Sequence, residues 1–184
     1  MLEIRWHGRG GQGAATSVEL LSLAAIEEGK YAQGFPSFGT ERRGAPVTGF
    51  TRIDEKPIKI RSGIYQPDVV VVLDPSLVGL VPVTDGLKPG GILSVNTSKS
   101  ADEIRKKLNY KGKLFTVDAT HIAREELGVP ISNTTMLGAV IKATAVLSLS
   151  AMKSPLEHRF GRGAAKNMSA MKRAFNEMKA AKAA

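Results

Sequence analysis

A six-residue glycine-rich turn, Gly8-Arg9-Gly10-Gly11-Gln12-Gly13, separates the apolar run Leu2-Glu3-Ile4-Arg5-Trp6 from a long helix-like stretch that starts at Ala14. This constrains the fold more than any other feature, because it specifies a strand, a tight turn and a helix whose first N–H groups lie beside the turn. Gly8, Gly10 and Gly13 stand in the G-x-G-x-x-G register that lets the backbone approach a phosphate and the helix pack closely on its strand. A dinucleotide site also needs a carboxylate about 20 residues on, at the end of the next strand. Here the next strand candidate, Lys30-Tyr31-Ala32-Gln33, runs into Gly34-Phe35-Pro36 without one, while Glu27 and Glu28 fall in the preceding helix. The turn therefore reads as a phosphate-binding or structural turn rather than an NAD site.

Apolar runs and helical patterns alternate along the rest of the chain, which predicts an α/β fold. Strands are expected at Glu3–Trp6, Val69–Leu73, Gly91–Val95 and Lys113–Val117, and helices at Ala14–Glu28, Ala101–Leu108 and Ala119–Leu127. The continuous Val, Ile and Leu content of these strands marks them as buried on both faces, as in a parallel sheet between helical layers. Val47–Ile53 and Ile58–Arg61, separated by Asp54-Glu55-Lys56-Pro57, read as a β-hairpin, which makes the sheet mixed. The expected architecture is one three-layer α/β/α domain over residues 1–184, Rossmann-like, with a mostly parallel sheet and a hairpin insertion. Thr135–Leu149 reads as a central helix carrying only Lys142 as a charge. Gly163–Ala184 reads as an amphipathic helix whose Met168, Met171, Phe175 and Met178 share one face and dock on the body.

Ligands of open α/β sheets bind beyond the carboxyl ends of the strands. The residues there are the Gly8–Gly13 loop, Asp74, Asn96 and Asp118; both aspartates precede helix-like turns and read as N-caps rather than catalytic bases. A second charged loop, Phe38-Gly39-Thr40-Glu41-Arg42-Arg43-Gly44-Ala45-Pro46, places two arginine forks next to a glutamate that can orient one of them. Such forks bind carboxylate or phosphate bidentately, so Glu41, Arg42 and Arg43 are candidates for a ligand or subunit contact. Asn133 is placed to cap the Thr135 helix, and Asn133 and Thr134 are candidates for a contact at its N-terminus. His7, at the end of the first strand, is a further ligand-facing candidate.

Composition closes off several function classes. With no cysteine, the chain cannot hold an iron–sulfur cluster through thiolates, and its three scattered histidines show no metal-ligand spacing. No catalytic triad or nucleophile elbow is legible. A formal charge of +9 suits acidic partners, yet nothing resembles an RNA-stacking platform or a helix-turn-helix reader, so no nucleic-acid role is expected. No apolar stretch approaches the ~18 residues of a membrane span, and Glu3 and Arg5 interrupt any signal-peptide pattern. A soluble cytoplasmic protein is the expectation.

Four segments carry a resemblance: Gly8–Gly13, Thr40-Glu41-Arg42-Arg43-Gly44-Ala45-Pro46-Val47, Ile64-Tyr65-Gln66-Pro67-Asp68, and Asn133-Thr134-Thr135-Met136-Leu137-Gly138-Ala139. In order and spacing they resemble the gamma subunits of 2-oxoacid:ferredoxin oxidoreductases over nearly the whole chain. The arginine-loop wording is nearer the pyruvate type, with the 2-ketoisovalerate type next. The resemblance implies a subunit of an enzyme that converts pyruvate, coenzyme A and oxidised ferredoxin to acetyl-CoA, carbon dioxide and reduced ferredoxin. Thiamine diphosphate, Mg and iron–sulfur clusters would then sit in the alpha, beta and delta partners, with coenzyme A as substrate. Within this chain it implies no catalytic residue and no metal. Gly10, Gly11 and Gln12 would present backbone donors to a phosphate-bearing ligand, with Arg42 and Arg43 beside them or at a subunit boundary. Two other readings stay open: a free-standing nucleotide-binding module, and an interaction subunit whose glycines serve packing alone.

Overall fold

The computed structural model describes residues 1–37 and 43–181. A seven-stranded mixed sheet runs through it in the order β2-β3-β1-β4-β5-β6-β7, where β1 is Leu2–Arg9, β2 Tyr31–Ser37, β3 Pro46–Asp54, β4 Val69–Val72, β5 Ile92–Asn96, β6 Lys113–Val117 and β7 Lys179–Ala181. β1, β4, β5 and β6 are parallel neighbours, while β3 is antiparallel to both β1 and β2, and β7 is antiparallel to β6. All four residues of β4 are buried, as a valine run at the centre of a two-sided sheet requires.

Apolar side chains leave the sheet on both faces. On one face Ile4, Trp6, Val69 and Val71 meet α1 (Ala14–Glu27), α3 (Ala119–Leu127), α4 (Asn133–Thr144), α5 (Lys153–Phe160) and α6 (Ala164–Glu177). On the other face Val70, Val72, Leu93 and Val95 are covered by Ile104 of α2 (Ala101–Leu108) and by Leu77, Val78 and Val83 of the segment after β4. The three-layer expectation holds, with one helical layer much thicker than the other. Ser100 and Glu103 form a reciprocal capping box that starts α2. Asp74 and Asp118 cap as expected, accepting from Ser76 N at 2.8 Å and His121 N at 2.9 Å.

Three expectations need correction. The hairpin is β2 with β3, and Ile58–Arg61 is not a strand. β3 has two edges; β1 takes one and β2 the other, so residues 58–61 have no strand to pair with, and Gln33 Nε2 instead donates to the Ile58 carbonyl at 3.0 Å. The last helix stops at Glu177, because Met178 turns to an extended conformation and Lys179–Ala181 pairs with the edge of β6 that would otherwise be open. Its methionine face does dock on the body, with Met171 and Met178 buried. The helix expected at Thr135–Leu149 begins at Asn133 and ends at Thr144, where Ala145 takes a left-handed conformation (φ 50°).

Candidate functional site

The two glycine-rich segments noted in the sequence meet at the carboxyl end of β1. Gly10 N donates to Ala45 O at 2.9 Å and Gly44 N donates to Gly10 O at 3.1 Å. These bonds continue the β1–β3 ladder, whose last pair is Arg9 with Pro46. The exposed Arg43 side chain passes over Gly11, its Cγ 4.0 Å from where a Gly11 Cβ would stand. Glu41 and Arg42 lie outside the described residues.

A polar clamp holds this junction from below. Gln12 Oε1 accepts from Arg9 N at 3.1 Å and Gln12 Nε2 donates to Asp74 Oδ2. Arg9 donates to Ser76 Oγ at 2.9 and 2.8 Å and to Gly44 O at 2.8 Å, and pairs with Asp74 at 3.6 Å. Burial alone would raise the Asp74 pKa, but hydrogen bonds from Ser76 and Gln12 and the Arg9 charge outweigh it and hold the carboxyl below its usual range. Sequence reasoning read Asp74 only as a cap; its partners in the glycine turn lie more than 60 residues away.

The donors differ from those expected. The Gly10 and Gln12 amides are consumed inside the protein, Gln12 N bonding Arg9 O at 3.0 Å. Among the described residues, the amides without a protein acceptor are those of Gly11, Gly13, Ala14, Ala15 and Thr16, where α1 begins. Gly13 is the N-cap, with φ 79° and no side chain, and no acidic residue occupies the first turn. A helix N-terminus left this bare carries partial positive charge suited to an anion. Gly8, fully inside the sheet end, only lets α1 approach: a Cβ there would stand 3.3 Å from Ala14 Cβ.

Asn133 does not cap its own helix. Its Nδ2 reaches Gly13 O at 3.4 Å, and Ser17 Oγ returns a bond to Asn133 O at 3.3 Å, so α4 is fastened to the start of α1. Any Cβ on Gly13 would run into Asn133, with Cγ 3.0 Å away. Thr134 is fully buried and donates to Asn167 Oδ1 at 2.7 Å, a packing contact to α6 away from the glycine loop. His7 is 8 % exposed and accepts from Arg5 Nε at 3.1 Å. Burial, helped by the Arg5 charge, pushes its pKa down to about 4, so it is neutral at pH 7. Asn96, 1 % exposed, ties β4, α3 and α4 together by donating to Leu73 O (2.8 Å), Thr120 Oγ1 (2.8 Å) and Ser132 Oγ (3.2 Å).

Cavities flank the glycine loop on two sides. One, of about 290 Å³, runs from Gly10, Gly11 and Ala14 to Ser37 and Thr48. The other, of about 410 Å³, lies between the first turns of α1, α4 and α6 and includes Arg159 and Lys166, which sequence reasoning missed. Their only sequence signal is the basic, glycine-bearing stretch Arg159-Phe160-Gly161-Arg162-Gly163. Among the described residues no three His, Cys, Asp or Glu side chains gather as a metal site.

The sequence profile of the pyruvate ferredoxin/flavodoxin oxidoreductase family matches residues 3–177. The chain belongs to this family. It is 59 % identical over 179 residues, 96 % of its length and 97 % of the relative's, to the pyruvate/ketoisovalerate oxidoreductases common subunit gamma of Thermococcus kodakarensis. With the pyruvate synthase subunit PorC of Methanosarcina barkeri it shares 50 % identity over 153 residues, 83 % of each chain. The crystal structure of pyruvate oxidoreductase subunit PORC from Thermotoga maritima superposes with a TM-score of 0.89 at 42 % identity, covering 98 % of both chains. The family is one of oxidoreductases, and these relatives are named as subunits of such enzymes. The four motif segments of the sequence thus mark a family whose fold this chain shares along its whole length.

Proposed function

We propose that this chain is the gamma subunit of a cytoplasmic, multi-subunit pyruvate:ferredoxin oxidoreductase. In that enzyme pyruvate and coenzyme A give acetyl-CoA and carbon dioxide, and two electrons pass to ferredoxin. Thiamine diphosphate, Mg and the clusters belong to alpha, beta and delta partners; the thiamine ylid and the clusters supply carbanion and electron chemistry that no constellation in this chain provides. The observation that supports the reading is the junction of the glycine and arginine loops, where the amides of Gly11 and of Gly13 to Thr16 have no protein acceptor among the described residues. Coenzyme A, with its phosphates, is the anionic reactant such a junction suits. Arg43 beside Gly11, and Arg42 next to it in sequence, would add charge there or at a subunit boundary.

A second reading has one specific observation in its favour: the relative at 59 % identity is named as common to pyruvate and ketoisovalerate oxidoreductases. The same chain would then serve a branched 2-oxoacid complex, with substrate chosen at the partners' thiamine site. The test of both is to purify the chain with its native partners and assay ferredoxin reduction with each 2-oxoacid, coenzyme A present or absent. Replacing Arg42 and Arg43 by alanine should raise the KM for coenzyme A or weaken assembly. A double variant that assembles normally and keeps its coenzyme A dependence removes the arginine loop from the reading.

A further inference from the structure

The sheet has two outer edges and closes one of them. β7 covers β6, but no strand among the described residues pairs with the outer side of β2. An open edge is a template for another strand, and proteins that keep it free blunt it with charge, proline, a bulge or shortness. β2 runs for seven residues, Tyr31–Ser37, without Asp, Glu, Lys or Arg, and its one proline, Pro36, stands next to last. Backbone groups of an antiparallel edge strand alternate between the partner strand and the outside. Pro36 has no N–H, so its place is an outward one, and by the same alternation the Ala32 and Gly34 amides also point outward. The Gly10 to Ala45 bond fixes the same phase from the other side. Odd-numbered residues of β3 bond to β1, so Thr48, Phe50 and Arg52 are left to bond Ser37, Phe35 and Gln33 of β2. Neither the Ala32 nor the Gly34 amide has an acceptor outside the sheet among the described residues.

The two flanks of this edge differ in chemistry. On one face α1 runs along β2, where a Cβ on Gly34 would stand 2.7 Å from Val18 Cγ1 and would also meet Ser22. One turn beyond Ser22, Ile26 is 52 % exposed, and Leu23 beside it is 42 % exposed. On the other face Gln33 holds the Ile58 carbonyl, so the segment after β3 lies over β2, with Tyr31 and Ile60 each 47 % exposed. Lys56, Lys59 and Arg61 of that segment are exposed, and their side chains have no partner among the described residues. The nearby carboxylates are taken, Glu55 by Lys30 at 3.4 Å and Asp54 by the N-terminal amine at 3.2 Å.

We propose that the outer edge of β2 receives an extended strand of a partner subunit, with apolar side chains toward Leu23 and Ile26 on one face and carboxylates toward Lys56, Lys59 and Arg61 on the other. Main-chain bonds to Ala32 and Gly34 supply affinity, and the two flanks supply selectivity. A second copy does not fit, because a twofold pairing of two β2 edges gathers both sets of cations at one seam without a free carboxylate to meet them. The proposal rests on the reading that the chain works inside a multi-subunit enzyme.

Hydrogen exchange over residues 31–37 is followed in the free chain and in the complex purified with its native partners. The Ala32 and Gly34 amides should exchange fast in the free chain and slow by roughly tenfold or more on assembly. Ala32→Pro deletes an outward donor and no ladder bond, so the free chain keeps its thermal melt while its affinity for the partners falls roughly tenfold. Lys56→Glu/Lys59→Glu/Arg61→Glu should weaken assembly in the same way; a triple variant that assembles with the parent's affinity overturns the acidic strand. A concentration-dependent dimer of the free chain that Ala32→Pro abolishes assigns the edge to a second copy and overturns the partner. A chain that recovers no partner at all overturns this proposal and the subunit reading together. A complex in which β2 exchanges as fast as in the free chain overturns this proposal alone.

Discussion

Gly138, inside α4 and within one of the motif segments, tests whether the α4–α6 crossing is set by backbone contact. Helix propensity argues for replacing it, since alanine is about 1 kcal/mol better than glycine in a helix interior. The structure argues the opposite. A Cβ on Gly138 would press on the Met171 carbonyl oxygen of α6, with the carbonyl carbon 2.9 Å and Met171 Cγ 3.1 Å away. The methionine side chain can shift, but the carbonyl belongs to a helix whose Ala170, Met171 and Ala174 are fully buried. Reaching an ordinary separation of about 3.5–4.0 Å from that oxygen moves one helix by more than an ångström and opens voids along the seam. Overpacking costs about 1–3 kcal/mol and more where backbone must move. Taking about 4 kcal/mol and subtracting the propensity gain leaves a net loss of about 3 kcal/mol for Gly138→Ala. For a chain of this length that is a fall in Tm of roughly 6–12 °C. Thermal melts followed by circular dichroism read it directly. A Tm that is unchanged or higher would refute the reasoning, because propensity would then have won and the carbonyl would not fix the crossing.

Asn96→Asp keeps the size of the side chain but replaces a donor facing the Leu73 and Ser132 oxygens with a buried carboxylate. A loss of about 3 kcal/mol or more is expected, read as a lower urea midpoint. His7 predicts the acid limb of stability. Its folded pKa is about 4 against 6.5 when unfolded, so between these values the unfolded chain binds the extra proton. Stability therefore falls as pH drops from about 6.5 to about 4, by at most ~1.4 kcal/mol per unit, and the effect is absent above that window. His7→Gln should flatten this part of a plot of unfolding free energy against pH.

How much of this was legible depends on how local each signal is. The parallel strands were readable because Val69–Val72 is buried on both faces and must be apolar throughout. The hairpin was misplaced because Ile58–Arg61 is as strand-prone as any neighbour; what excludes it is that β3 has no edge left. Asp74 and Asp118 were read correctly as caps since capping involves residues two or three apart. Asn133 obeyed the same local rule on paper and broke it in space, its partner being the Gly13 carbonyl 120 positions away. Gly10 and Gln12 were marked as donors from the motif alone, and the ladder to Ala45 and the turn to Arg9 take their amides. Arg159 and Lys166 were invisible because their cavity is assembled from three separate stretches of chain.

The position of β3 explains why a glycine signature persists here without a dinucleotide site. β1 and β2 point the same way, since each is antiparallel to β3, so β1-α1-β2 remains a crossover unit. With β3 inserted, β2 lies two strand spacings from β1, about 9–10 Å, rather than beside it. The place where a ribose carboxylate would stand is thereby carried away from the phosphate turn, and the Tyr31–Ser37 strand bears none. What survives is the half of the motif that would handle phosphate on the proposed reading. A nucleotide held by that turn would have to send its base elsewhere, toward one of the two cavities that flank the loop.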